Sequence, residues 1–106
     1  MEAYICNKEL SEENKNKIEQ VAEELTAGAI FGVYSYGEDY ILHSELKIIR
    51  LSSDLVPVWS FSGNDIFVSQ SGDENVFEMK QDRICLRDWN GDYCEIDYNG
   101  KLMKEN

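Results

Sequence analysis

Few residues of this sequence have the type and spacing that catalytic chemistry requires. The one histidine, His43, follows a β-like run without a serine or cysteine signature nearby, so no catalytic triad is predicted. We interpret it as a surface or turn residue. The Gly-x-Ser-x-Gly elbow, the Gly-rich phosphate loop and the His-Glu-x-x-His zinc motif do not occur in the sequence. We therefore expect no enzyme activity; a carboxylate pair drawn from the many acidic residues is a minor alternative.

One short run imitates the start of a calcium-binding loop. Asp88, Asn90 and Asp92 have the spacing of the first three ligands of such a loop. The sixth position is Tyr93 where glycine is required, and the twelfth is Asn99 where a bidentate glutamate is required. The run is therefore predicted to form a turn, with neither a metal nor a cofactor.

The three cysteines indicate a reducing compartment. Cys6, Cys85 and Cys94 are odd in number and form no Cys-x-x-Cys pair. The segment Met1–Tyr4 has no basic stretch or long apolar run, so we expect no signal peptide, and we expect a cytoplasmic protein. We also expect no disulfide between Cys85 and Cys94, because the strand register derived below places them diagonally across one face.

Charge is the strongest compositional signal. The chain has 21 acidic and 10 basic residues, a formal net charge of -11 and a pI near 4.4. Such a surface repels nucleic-acid phosphates and anionic lipids, so neither nucleic acid nor membrane is an expected direct partner. It accelerates encounter with a basic protein, although it can equally serve solubility alone.

The elements predict an α+β fold in which one N-terminal helix packs on a mainly antiparallel β meander of about eight short strands. Residues 1–106 form a single domain in this prediction. A helix is predicted at about residues 11–27, with Ser11 as N-cap and Gly28 as stop. Its apolar stripe has the spacing i, i+3, i+4 and i+7 and consists of Ile18, Val21, Ala22 and Leu25.

Short β runs separated by turn residues occupy the rest of the chain, and connections this short favour antiparallel neighbours. A further short strand is expected at residues 3–6. The predicted strands after the helix are Ala29–Tyr36, Tyr40–His43, Leu46–Leu51, Leu55–Phe61, Asp65–Gln70, Val76–Met79, Arg83–Trp89, Asp92–Tyr98 and Lys101–Met103.

Two Asn-Gly pairs, at residues 90–91 and 99–100, predict two-residue type I′ hairpins and a three-stranded ribbon over residues 84–103. In this register Arg87 pairs with Cys94 and Leu86 pairs with Glu95. One ribbon face then holds Cys85, Trp89, Cys94, Ile96 and Tyr98, with Arg87 and Asp92 among them. The other face holds Ile84, Leu86 and Tyr93 with Asp88, Glu95 and Asp97.

The second face is the predicted partner-binding surface, because an apolar centre surrounded by charge is typical of interfaces. A competing acidic surface is the outer side of the helix, with Glu19, Glu23 and Glu24. The predicted partner-binding residues are Asp88, Asp92, Tyr93, Glu95 and Asp97.

The tracts Leu51–Leu55 and Trp59–Ile66 look like segments of small bacterial domains. A short, acidic chain with one helix, a β meander and no catalytic motif resembles the immunity proteins of bacterial toxin–immunity pairs, including those of contact-dependent inhibition. The resemblance implies a protein that binds a cognate toxin domain and blocks its active site. Many such toxins are nucleases with basic clefts, and an acidic inhibitor mimics phosphate charge. The alternative from the residues alone is a non-enzymatic β-rich binding or homo-oligomerisation module.

Overall fold

The computed structural model describes residues 5–6, 9–70, 72 and 75–105. Over these residues the chain forms one helix and nine strands. The elements are β1 (Ile5–Cys6), α1 (Glu12–Glu24), β2 (Ile30–Tyr36), β3 (Asp39–Ser44), β4 (Ile48–Leu51), β5 (Pro57–Phe61), β6 (Phe77–Met79), β7 (Ile84–Arg87), β8 (Tyr93–Ile96) and β9 (Leu102–Glu105).

The strands build two sheets that follow chain order. The first has five strands in the order β1-β2-β3-β4-β5, and the second has four in the order β6-β7-β8-β9. Eight strands pair antiparallel, and β1 joins β2 in parallel. The predicted α+β class, with one N-terminal helix and a mainly antiparallel meander, is confirmed.

The helix begins as predicted and ends earlier than predicted. The Ser11 hydroxyl accepts a hydrogen bond from the Asn14 backbone N–H at 3.1 Å. At the other end Thr26 has φ 57°, while the N–H of Ala27 bonds to the carbonyl of Ala22. These two features form a Schellman cap, which ends the helix before Gly28. With 13 residues, the described helix is neither long nor apolar enough to cross a membrane.

The layers are helix, five-stranded sheet and four-stranded sheet, with two cores between them. The helix covers one face of the first sheet through Ile18 and Ala22. The opposite face of that sheet packs on the second sheet through Ile41, Ile48, Ile84 and other buried residues. Because successive residues of a strand point to opposite faces, β3 contributes to both cores and is buried along most of its length.

Polar contacts also join the two sheets. Arg50 Nη1 and Trp59 Nε1 both donate to the carbonyl oxygen of Tyr98, at 2.7 and 2.9 Å. The Tyr98 ring stacks on Tyr36 with ring centroids 3.9 Å apart. Arg50 is held in turn by Asp39, with Nη2 2.8 Å from Oδ2. The turn that follows β8 is thereby anchored to three strands of the other sheet.

The strand predicted at Asp65–Gln70 is wrong. This segment is irregular, and Phe67 is buried between the sheets. Its bonds to other backbone groups go to loops rather than to a strand: the Phe67 N–H donates to Glu45 O, and Ile66 O accepts from the Trp89 N–H, both at 2.8 Å. The segment therefore fills the gap between the sheets.

The predicted ribbon register is wrong by one residue. Arg87 pairs with Tyr93 and Leu86 pairs with Cys94. Each hairpin has three residues in its turn, so that Asp88 is bonded to Asp92 and Asp97 to Lys101. Gly91 and Gly100 have φ 86° and 81°, whereas neither preceding asparagine has positive φ. This is the geometry of a type I turn followed by a glycine bulge, in place of type I′.

Candidate functional site

Two of the predicted partner-binding residues hold the hairpin turns. Asp88 Oδ1 accepts hydrogen bonds from the backbone N–H groups of Asn90 and Asp92 at 2.9 and 3.0 Å. Asp97 Oδ1 does the same for Asn99 and Lys101, both at 2.9 Å. The similar runs at residues 88–91 and 97–100, each Asp, aromatic, Asn and Gly, thus encode the same turn twice.

Tyr93 and Glu95 belong to a network on the outer face of the second sheet. The Tyr93 hydroxyl donates to Glu95 Oε2 at 2.5 Å, and Arg83 Nη1 lies 2.6 Å from Glu95 Oε1. These two bonds lower the pKa of Glu95, the tyrosine contributing first. The pKa of Tyr93 is raised, mainly by its contact with the Cys85 thiol and then by Glu95. Glu95 is buried, with 8% of its surface exposed, and Arg83 compensates the charge of its carboxylate.

The expected apolar centre with a carboxylate rim does not form on this face. The one-residue slip turns Ile84 and Leu86 to the inter-sheet core, where both are buried. Cationic groups take part instead. The Arg87 guanidinium lies over the Tyr93 ring, 5.2 Å from its centroid, and Lys104 pairs with Glu95 across the strands. The outer face carries both signs of charge.

Asp88, Asp92 and Tyr93 meet instead at a cavity at the open end of the inter-sheet core. Its volume is about 180 Å³. The second sheet supplies one wall, and the other comes from the end of β5 and the loop that follows it. The lining residues are Phe61, Ser62, Gly63, Asn64, Phe67, Leu86, Asp88, Asp92, Tyr93, Cys94, Leu102 and Glu105.

The cavity combines an apolar floor with negative charge. Phe67 and Leu86 are almost completely buried at the floor, while Asp92 and Glu105 are exposed. Among the described residues that line it, none is lysine or arginine. Burial, followed by the charges of Glu105 and Asp88, raises the pKa of the Cys94 thiol to about 11. The thiol is therefore neutral at physiological pH and is no activated nucleophile.

The cysteines differ from the prediction in their placement. Cys85 pairs with Glu95, and Cys94 pairs with Leu86, so the two thiols project from opposite faces of the sheet. Both are free in the described part of the chain. The predicted shared face is wrong, and Cβ atoms pointing apart prevent a bridge without backbone movement.

The interpretation of His43 as a surface or turn residue is also wrong. Its ring is buried between the sheets, stacked on Phe77 at 4.8 Å and edge-on to Phe31 at 5.2 Å. His43 Nε2 lies 3.1 Å from the Phe67 carbonyl oxygen. Burial lowers the pKa of His43, and this hydrogen bond opposes the shift only in part. His43 is thus a neutral core residue.

Glu105 is the cavity residue that sequence reasoning missed. A register shift between Glu95 and Ile96 leaves Met103 unpaired and aligns Leu102 with Ile96 and Glu105 with Cys94. The bulge therefore brings Leu102 and Glu105, three residues apart, to the same face. Simple alternation along β9 would place them on opposite faces, and no turn residue in the sequence marks the bulge.

No family model, curated protein or solved structure matches this chain. Within the described residues, no three His, Cys, Asp or Glu side chains are grouped so that they could hold a metal ion. The shape and charge of the surface are therefore the features from which a function can be inferred.

Proposed function

We propose that this protein is a non-enzymatic immunity or inhibitor protein that binds and neutralises a basic bacterial toxin domain through an acidic surface. A nuclease is the toxin class that such a surface suits best, because carboxylates can occupy a cleft built for phosphates. The observation that carries the proposal is the cavity, whose described lining includes Asp88, Asp92 and Glu105 and no basic residue. The net charge of -11 adds long-range attraction for a basic partner.

The surface features suit binding better than catalysis. Asp92 and Glu105 are solvent-accessible, so a partner can reach them without a conformational change. Their apolar neighbours supply an area to desolvate, which gives an interface its affinity, while the charges give association rate and specificity. We place this activity in the cytoplasm, a proposal supported by the free thiols of Cys85 and Cys94.

The test begins with the partner. The tagged protein is used at low salt to capture proteins from its native cells. Each captured protein is then identified and expressed alone. The proposal expects one captured domain that is basic, arrests growth when expressed alone, and becomes harmless when this protein is co-expressed. Captured domains without toxicity, or toxicity that co-expression leaves unchanged, would contradict it.

A second candidate function, homodimerisation through β9, is favoured by one observation. β9 is an edge strand, all four of its residues are exposed, and Leu102 and Met103 each retain 45% of their accessible surface. Such an edge can pair with a second copy, although the charged Lys104 and Glu105 oppose this. Light scattering after size-exclusion chromatography tests it: a dimer that Met103→Lys converts to monomer supports this function, and a monomer at all concentrations rejects it.

A further inference from the structure

The register of the second sheet determines what the cavity presents. Ile84, Ile96 and Leu102 form one row across the sheet on its inner face, and Leu86, Cys94 and Glu105 form the next. Asp88 and Asp92, which face each other at the end of the hairpin, continue the same face. The inner face therefore changes from apolar to acidic toward its open end.

Asp88 is the fixed acidic group of this cavity. The residue is 6% exposed, so its carboxylate is largely removed from water. The two hydrogen bonds that the Asp88 carboxylate accepts from the described residues both go to Oδ1 and come from backbone N–H groups. Those bonds hold the side chain in one orientation and leave Oδ2 available to a donor from outside.

The size of the cavity limits its occupant. Sites for whole small molecules usually enclose about 300–1,000 Å³, whereas this cavity encloses about 180 Å³. One long side chain is a better match for that space. The apolar floor suits an aliphatic or planar group, and the carboxylates require that it carry positive charge.

We propose that the cavity receives a single arginine side chain of the basic partner. The aliphatic stem packs against Phe61 and Leu102, and the guanidinium donates to Asp88, with Asp92 and Glu105 at the mouth. Arginine suits this site better than lysine, because its planar fork donates to two carboxylates at once and also stacks on aromatic rings. This inference rests on the proposed function, since it names the group by which the toxin domain is recognised.

The first test uses a probe that needs no partner. N-acetyl-argininamide is titrated into the ¹⁵N-labelled protein, with N-acetyl-citrullinamide as the uncharged control of nearly the same shape. We expect the arginine probe to shift the amide resonances of Gly63, Asn64, Asp92 and Cys94. The citrulline probe should bind more weakly by a factor of about ten or more. Equal binding of the two probes, or arginine shifts confined to other surfaces, would overturn the inference.

The second test uses matched variants. Asp88→Asn, Asp92→Asn and Glu105→Gln together remove three charges from the cavity, and the asparagine at 88 retains the Oδ1 that holds the turn. Glu24→Gln, Glu38→Gln and Asp54→Asn remove three charges from exposed positions elsewhere. We expect the cavity variant to weaken arginine binding about tenfold or more and the control to change it less than about twofold.

The double variant Asp92→Asn with Glu105→Gln leaves the turn at Asp88 untouched and is used if the triple variant misfolds. The same variants are then measured against the captured toxin domain. Unchanged toxin binding by the cavity variants would overturn the inference and leave the proposed function intact. If the arginine probe binds in the cavity but no toxin domain is captured, the inference about the cavity is supported and the proposed function is contradicted.

Discussion

The imidazole of His43 lies between aromatic rings in the inter-sheet core, and its proton equilibrium is coupled to folding. Burial lowers the pKa of His43 in the folded protein, whereas the unfolded chain has the usual value of about 6.5. Below pH 6.5 the unfolded state therefore binds more protons than the folded state. The contribution of His43 to the free energy of unfolding is fully present above that pH. It is lost as the pH falls toward and through the lowered pKa.

We expect this loss to be no steeper than about 1.4 kcal/mol per pH unit, the limit for one proton. Urea unfolding at about pH 7.5 and about pH 5.5 measures it, because carboxylates such as Glu95 titrate below this window. His43→Gln, which cannot titrate, serves as the control. A wild-type dependence equal to that of the variant would show that His43 does not carry the effect.

The two hairpin turns depend on glycine to different degrees. Gly91 and Gly100 both have positive φ, but a Cβ at Gly91 would meet open space, while one at Gly100 would lie 2.6 Å from Trp59 Cδ2. Gly91→Ala should cost about 1–2 kcal/mol through left-handed backbone strain alone. Gly100→Ala should cost more, because the Trp59 ring must also move.

Chemical unfolding monitored by circular dichroism compares the two variants, and tryptophan fluorescence reports on Trp59. Equal midpoints for Gly91→Ala and Gly100→Ala would show that the turn does not pack on Trp59. A changed emission spectrum in Gly100→Ala alone would agree with the expected contact.

The same turns explain where prediction from sequence succeeded and where it stopped. The helix was predictable because the stripe of Ile18 and Ala22 reflects burial of one helix face. The strands were predictable because the β runs reflect burial on one or two faces of a sheet. The hairpins were predictable in position, since Asn-Gly requires a turn. Their type depends on the side chains of Asp88 and Asp97, which bond to the turn and extend it by one residue. That single residue shifts the whole register and changes the face on which the candidate site lies.

Phe67 shows a second limit. Its neighbourhood is rich in β-forming residues, yet the backbone–backbone hydrogen bonds of Ile66 and Phe67 go to loops from both sheets. The gap that Phe67 fills exists only because the two sheets pack together, so no local sequence pattern predicts the position of Phe67. Glu105 reaches the cavity for an equally non-local reason, the bulge at Met103.

At the scale of the whole molecule, net charge is the dominant electrostatic property. The principal extents are 38 × 26 × 23 Å, and the chain carries a formal charge of -11. The screening length is about 30 Å at 0.01 M salt and about 8 Å at 0.15 M. At low salt every carboxylate therefore interacts with most of the others, and at physiological salt only with near neighbours.

We expect sodium chloride to raise the thermal unfolding midpoint across this range by weakening self-repulsion in the folded state. Calorimetry of the wild type and of the Glu24→Gln, Glu38→Gln, Asp54→Asn variant measures the effect. The variant should respond less, since it has three fewer negative charges. A midpoint that falls with added salt would mean that ion pairs such as Arg83–Glu95 outweigh the repulsion.

The burial of β3 on both faces has a consequence for how the molecule opens. Ile41 belongs to the core between the sheets and Leu42 to the core beneath the helix, while β2 and β4 pair with both edges of the strand. Releasing either covering layer exposes one side of β3 but leaves its hydrogen-bond ladders in place. The amide protons of β3 should therefore exchange with solvent only through global unfolding, and those of the helix through smaller openings. Hydrogen-exchange rates would thus rank the layers from the outside inward.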